Sequence, residues 1–161
     1  MPGFKTVNGL SWPASDTDCM AVVFNRVGDL DLAYAHCRAF AVAVQAGGNC
    51  GVWPKHMAPR FGVVYTFEPD PENFNCLVAN VPEHNVIKMQ AALGNEYGLI
   101  DVVSPHENNC GSKFVQSGGA IPTVRIDDLR LPALDFMMLD VEGAEVDALK
   151  GAIESIKKFK P

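Results

Sequence analysis

The 161-residue chain has no C-x-x-C pair and no H-x-x-x-H pair, and its cysteines are odd in number: Cys19, Cys37, Cys50, Cys76 and Cys110. Those wide spacings argue against a disulfide framework and against a metal site, so reduced thiols in a reducing compartment are expected. Positive charge is also scarce. Thirteen Lys and Arg stand against nineteen Asp and Glu, a formal net charge of −6. A broad nucleic-acid surface needs clustered cations, and the one dense basic run, Lys157-Lys158-Phe159-Lys160, reads as a solvated helix end. No apolar run reaches the roughly 18 residues that suggest a membrane span. The N-terminus lacks the basic-then-apolar pattern of a secretory signal. The resulting expectation is a cytoplasmic protein with no membrane span, no internal repeats and no low-complexity tract.

What is present is enough apolar residue for a core: 48% of the chain is hydrophobic and 20% charged, which fits one globular domain over residues 1–161. Residues 1–28 are broken by Gly, Pro, Ser and Asp and read as a lead-in or cap, with the run Met20–Phe24 as a short strand within it. Asp29 is expected to cap a helix over 30–40, with Leu30, Ala33, Tyr34 and Cys37 on one face. Strands are expected at 41–44, 62–67, 86–93 and 136–139. A short helix should follow Gly51, and a second should start at Asp70-Pro71, where Asp suits the N-cap and Pro the first turn. Residues 97–126 read as short strands around a polar loop, His106 to Ser112. A final helix is expected over 144–157, with Val146, Leu149, Ile153 and Ile156 as its apolar stripe. Helices alternating with short, continuously apolar strands predict an α/β fold: a mostly parallel sheet with helices on both faces.

The stretch Val44 to Gly51, VQAGGNCG, sits at the end of the first of these strands. In open α/β sheets, ligands bind beyond the carboxyl ends of the strands, and glycines there permit tight turns and close approach to the backbone. An acid at the end of the next strand, about 20 residues on, is suited to accept hydrogen bonds from ribose hydroxyls. Glu68 occupies that place. A nucleoside-containing cofactor is the expectation. Trp53 and Pro54 crowd the segment after Gly51, which favours a ligand without phosphates over a dinucleotide.

Five segments follow one another in order: VQAGGNCG at 44–51, FEPDP at 67–71, NVIKMQAALG at 85–94, IPTVRIDDL at 121–129 and LDVEGAEVDALKGA at 139–152. Together they resemble the FkbM family of S-adenosylmethionine-dependent methyltransferases over residues 40–152, the last segment being the most specific. The resemblance implies a Rossmann-like methyltransferase fold with S-adenosyl-L-methionine as cofactor. It implies that Gln45, Gly47, Gly48, Asn49, Gly51, Glu68 and Pro69 line the cofactor pocket, with Glu68 on the ribose diol and Ala91 and Ala92 bordering the adenine. Two departures stand out. Gln45 replaces the family's usual Asp near the methionine end of the cofactor. The chain also ends at Pro161, where the family fold continues into further strands, so it is short at the C-terminus. Either residues 1–28 flank the open sheet edge, or a partner such as a second copy covers it in a homo-oligomer, or the chain is a fragment.

Asp140 and Glu142 fall at the carboxyl end of the fourth strand, facing the same rim. Methyl transfer is an in-line displacement, and a carboxylate there is placed to orient a hydroxyl acceptor or take its proton. Asp140 is also expected to border the cofactor. The alternative for both is structural: Asp140 caps the final helix, and Glu142 and Glu145 sit in its first turn. Asp127 and Asp128 are expected to start a turn or helix. His106, Asn108, Asn109 and Lys113 read as a solvated loop. No metal is expected. The leading reading is O-methylation of a hydroxyl on a sugar or another small or glycan-linked acceptor, the acceptor class resting on the resemblance. The alternative is a catalytically impaired or non-catalytic S-adenosylmethionine-binding subunit, motivated by Gln45 and the short C-terminus. A nicotinamide-dependent oxidoreductase is a third reading, disfavoured by the crowded loop.

Overall fold

In the computed structural model, which describes residues 3–161, the chain opens with a hairpin of β1 (Phe4–Val7) and β2 (Leu10–Pro13). The first two residues of the expected lead-in lie outside the described residues. Helices α1 (Cys19–Arg26) and α2 (Asp29–Tyr34) follow, then β3 (Val42–Ala46), α3 (Val52–Met57), β4 (Val63–Phe67), α4 (Pro71–Asn80) and β5 (Val86–Met89). Next come β6 (Ala92–Leu93), β7 (Leu99–Val103), β8 (Phe114–Ser117), β9 (Ile121–Val124) and a 3-10 turn at Ile126–Leu129. The chain closes with β10 (Phe136–Leu139), α5 (Glu145–Lys150) and α6 (Ile153–Phe159).

The four apolar strands β10, β3, β4 and β5 form a parallel sheet in that order. Its two faces are both covered. Ala43, Val64 and Val86 pack against the side chains of α1 to α4, including Val23, Tyr34, Trp53, Met57 and Leu77. Val42, Val44, Ala46 and Phe67 pack on the opposite side against Ile126, Leu131, Leu134, Ala148 and Ala152. This is the alternation that a strand imposes, and it explains why these segments read as continuously apolar. A second sheet, in the order β6-β9-β7-β8, is mixed: β6 runs parallel to β9, and β7 pairs antiparallel with both β9 and β8. Helix α4 begins as expected: Asp70 accepts from the N–H groups of Glu72 (3.1 Å) and Asn73 (2.9 Å), with Pro71 in the first turn.

Four local expectations are corrected. Met20–Phe24 is helix, not strand. The Asp16 carboxylate, upstream of the run, accepts from the first-turn N–H groups of Cys19 (3.2 Å) and Met20 (3.0 Å), and that tertiary cap selects the helix. Helix α2 stops at Tyr34, with Gly28 rather than Asp29 at its N-cap. The expected strand 86–93 is two strands in different sheets, broken at Gln90-Ala91. The expected helix 144–157 is likewise two. Gly151 lies so close to the Gly94 carbonyl that a Cβ there would stand 2.0 Å from its oxygen. Helix α6 restarts beyond it, its Glu154 and Ser155 N–H groups bonded to the Asp127 carboxylate (3.2 and 2.8 Å). Close approach selects small residues, so Ala148, Ala152 and Ser155 are the buried face while Val146, Leu149 and Ile153 are exposed.

The β1–β2 hairpin packs on α4, tied by Asn80 to both the N–H (2.6 Å) and the C=O (2.7 Å) of Ser11. It therefore does not flank β10, which is one of the two edge strands of the parallel sheet, β5 being the other. Among the described residues, no helix is long and apolar enough to cross a membrane.

Candidate functional site

The carboxyl ends of the parallel strands open into a cavity of about 260 Å³. Its floor comes from four strand ends: Ala46-Gly47 after β3, Glu68-Pro69 after β4, Ala91-Ala92 before and within β6, and Asp140, Val141 and Glu142 after β10. Its roof comes from two segments far apart in sequence. Cys19, Val22 and Val23 belong to α1, and Asn109 to Val115 run from the polar loop into β8. Thr17 N–H donates to the Asn108 carbonyl (2.9 Å), and Asn73 on α4 donates its side-chain amide to the Cys110 carbonyl (2.8 Å). These bonds hold the roof over the floor.

Glu68 is buried, 6% exposed, and lies on the cavity wall. One carboxylate oxygen accepts from Asn49 N–H (2.7 Å) and the other from Asp70 N–H (2.9 Å). Burial dominates those bonds and pushes its pKa up to about 7. Each oxygen keeps a lone pair for a further donor. Among the described residues Lys113 is the only cation on the wall, and it is paired with Asp70 at 2.8 Å. Against it stand Glu68, Asp140 and Glu142. The carboxyl pKa of Asp140 is raised by partial enclosure and by the like charge of Glu145.

The glycine loop has no N–H to offer a ligand. Gly47 and Gly48 donate to the Phe67 carbonyl (3.0 and 2.8 Å), Asn49 to Glu68, Cys50 to the Asn49 side chain (2.7 Å) and Gly51 to Gly48 (2.9 Å). Gly47, at φ +81°, is needed for another reason: a Cβ there would stand 2.0 Å from the Asp140 carbonyl oxygen. The loop is thus packed directly on the end of β10.

Of the residues singled out from the sequence, Gly47, Asn49, Glu68, Pro69, Ala91, Ala92, Asp140 and Glu142 meet on one cavity wall, with Trp53 and Lys113. Gln45, Gly48 and Gly51 are not part of that wall. Gln45 is fully buried on the α1–α4 side of β3. Its carbonyl oxygen accepts from the hydroxyl of Thr66, its register partner on β4, at 2.5 Å, and its amide donates to the Ala46 and Gly47 carbonyls (3.1 and 2.8 Å). It braces the loop from behind. Asp140 and Glu142 both precede α5, whose N-cap is Ala144, and Asp140 makes no cap bond to it. Asp127, by contrast, serves as the tertiary cap of α6.

Sequence reasoning missed the roof. It also missed that Asp16, Cys19 and Cys110 gather with their ligand-type atoms within 4.8 Å of one another. The separation of 91 positions between the two thiols hides the pairing; the only local signal is Asp16 as a capping acid upstream of an apolar run. The Asp16 oxygens are already occupied, one by Trp12 Nε1 (2.7 Å) and Met20 N–H (3.0 Å), the other by Cys19 (3.2 Å) and Cys110 (3.0 Å) N–H. Four N–H donors use all four acceptor positions of a carboxylate, so it is a poor metal ligand here. Burial works against its ionisation, but these bonds prevail and its pKa lies below the ordinary value.

An α/β sheet with an acid-rimmed cavity at its strand ends is the setting of a small-molecule enzyme site, and sequence comparison gives the class. Residues 47–161 match the Methyltransferase FkbM domain, and the chain belongs to that methyltransferase family. It is also similar to a protein named Methyltransferase 1 from Beauveria bassiana (strain ARSEF 2860). The two are 24% identical over 181 aligned residues, which cover 84% of this chain and 73% of that relative.

Proposed function

We propose that the protein is an S-adenosylmethionine-dependent methyltransferase of Rossmann-like fold that O-methylates a hydroxyl on a sugar or another small or glycan-linked acceptor. The observation that carries the cofactor assignment is the charge of the cavity: three carboxylates and one lysine, that lysine already paired with Asp70. Such a wall suits a sulfonium cation and repels a pyrophosphate. The fully bonded glycine loop supports the same choice, because a dinucleotide would need free N–H donors there.

S-adenosylmethionine supplies an electrophilic methyl group on positively charged sulfur. In this reading Glu68 accepts from the ribose hydroxyls, while its bonds to Asn49 and Asp70 hold it in place. Ala91 and Ala92 give the adenine a flat apolar border. Gly47, Asn49 and Pro69 shape the wall, and Gln45, Gly48 and Gly51 support the loop behind it. Asp140 and Glu142 orient the acceptor hydroxyl, and the raised pKa of Asp140 suits it to take up that hydroxyl's proton. The roof excludes water. Five free cysteines, four of them buried, support a reducing, cytoplasmic setting. The unpaired edge of β10 supports a homo-oligomer, which light scattering of the purified chain reads directly. The non-catalytic reading loses one of its motives, since Gln45 is not on the cavity wall.

Calorimetry with S-adenosylmethionine and NAD side by side tests the assignment. The first should bind and the second should not, and Glu68→Ala should weaken binding by roughly 1–3 kcal/mol through lost charge-assisted hydrogen bonds. Failure of both S-adenosylmethionine and S-adenosylhomocysteine to bind at millimolar concentration would overturn it.

A further inference from the structure

Four of the five cysteines converge on the roof and the loop beneath it. Cys19 opens α1, Cys110 lies in the polar loop, and both are on the cavity wall, 8% and 5% exposed. Their Sγ atoms lie within 4.8 Å of each other. The Asn49 side-chain amide faces both, at 3.5 Å from Cys19 and 3.8 Å from Cys110. Cys50 and Cys76 lie in the same buried cluster as these two thiols. Gly111 has no side chain where one is excluded: a Cβ there would stand 2.6 Å from the Cys19 sulfur. The chain is therefore built to let the two thiols approach. The Cys110 thiol also donates to the Asn49 side-chain oxygen at 3.8 Å, so one amide group contacts both thiols.

We propose that Cys19 and Cys110 are a reversible oxidation site, and that a disulfide between them locks the roof over the cofactor cavity. The two roof segments are otherwise joined by a few hydrogen bonds: Thr17 to Asn108, Asn108 to the Thr17 and Asp18 side chains, and Cys110 N–H to Asp16. The Asn108 side-chain bonds among them are exposed to solvent, and a covalent bridge would join the two segments independently of them.

The oxidant is a hydroperoxide. One of the two thiols, as its thiolate, attacks one oxygen of hydrogen peroxide, the O–O bond breaks, and with one proton the products are a sulfenic acid and water. The sulfur of the other thiol then attacks the oxidised sulfur, the S–O bond breaks, and the thiol proton leaves with the hydroxide as a second water. Overall, two thiols and one peroxide give one disulfide and two waters. A dithiol reductant reverses the step by exchange. Asp16 cannot easily recruit a metal to the same thiols, because its four acceptor positions are filled.

The effect on ligand exchange rests on the cofactor reading given above, but formation of the bridge and stiffening of the roof do not. The full chain is treated with hydrogen peroxide, then alkylated and mapped by mass spectrometry without reduction. The expected product has lost two hydrogen masses, carries a Cys19–Cys110 cross-linked peptide, and reverts with dithiothreitol. Hydrogen exchange at residues 16–19 and 108–111 should slow in the oxidised protein. Release of S-adenosylhomocysteine, followed with radiolabelled ligand on the full chain, should slow by roughly tenfold or more, as expected for a locked lid. Cys110→Ser should abolish all three changes, and Cys37→Ser none. The proposal is overturned if the bridge maps to Cys50 or Cys76, or if the roof exchanges as fast after oxidation as before. It is also overturned if one equivalent of Zn²⁺ protects both thiols from peroxide. If S-adenosylhomocysteine fails to bind the reduced protein, the cofactor reading falls, while mass and exchange still decide the bridge.

Discussion

The floor and the roof of the cavity are built on different principles. The floor is made of adjacent parallel strand ends joined by main-chain hydrogen bonds and close backbone contacts, and it contains the buried Glu68. The roof joins residues 16–23 to residues 108–115 through one main-chain bond, from Thr17 to Asn108, and a few side-chain bonds, and parts of it are exposed. A floor fixed by backbone packing tolerates little change. A roof held by a few bonds tolerates more.

The most damaging change should fall on the floor. Gly47→Ala puts a Cβ against the Asp140 carbonyl at a positive φ. Left-handed strain and overpacking together should cost about 3 kcal/mol or more, read as a lower urea midpoint. An unchanged midpoint would mean that the loop and β10 are free to separate, and the contrast with the roof would weaken.

Glu68 makes the floor sensitive to pH. Its native pKa of about 7 lies above the ordinary 4.5, so between those values the folded protein holds a proton that the unfolded chain has lost. Its contribution to stability is therefore greatest below pH 4.5 and falls as pH rises towards 7, by about 3 kcal/mol at most. Glu68→Gln should flatten the stability profile between pH 5 and 7 relative to wild type. A profile of identical slope would show that Glu68 is not the buried acid described.

Gln45→Asp sharpens the contrast within the floor itself. Restoring the acid usual in the family would place a charge at a fully buried site and face it towards the Ala46 and Gly47 carbonyls, which now accept from the amide. A loss of about 2 kcal/mol is expected, with no gain in cofactor affinity. Tighter binding in calorimetry would show that position 45 reaches the ligand.

The roof should yield the smallest effect. Asn108→Ala removes exposed bonds to Thr17 and Asp18 and should cost less than about 1 kcal/mol, while speeding amide exchange at 108–111. A loss as large as that at Gly47 would erase the distinction between the two regions.

This division also accounts for what the sequence reveals. The apolar strands β3, β4 and β10 are legible because a strand buried on both faces needs uninterrupted apolar residues. Glu68 and Asp70 are legible because a strand end and a helix start mark them locally. The break of the final helix is not legible, because it is set by the Gly94 carbonyl, some 57 residues from Gly151. Val146, Leu149 and Ile153 carry the helical apolar spacing yet face outwards, because small residues win the close contact. The helix at Met20–Phe24 depends on Asp16, and the Cys19–Cys110 pairing on contacts across 91 residues. Neither leaves a periodic trace.

The central claim is that the acid-rimmed floor holds S-adenosylmethionine through Glu68. A crystal structure of the chain with S-adenosylhomocysteine tests it most directly. The account predicts density in the cavity between Gly47, Glu68, Ala91 and Asp140, with both ribose hydroxyls donating to the Glu68 carboxylate. Ligand bound elsewhere, or in the cavity with its ribose away from Glu68, would contradict it.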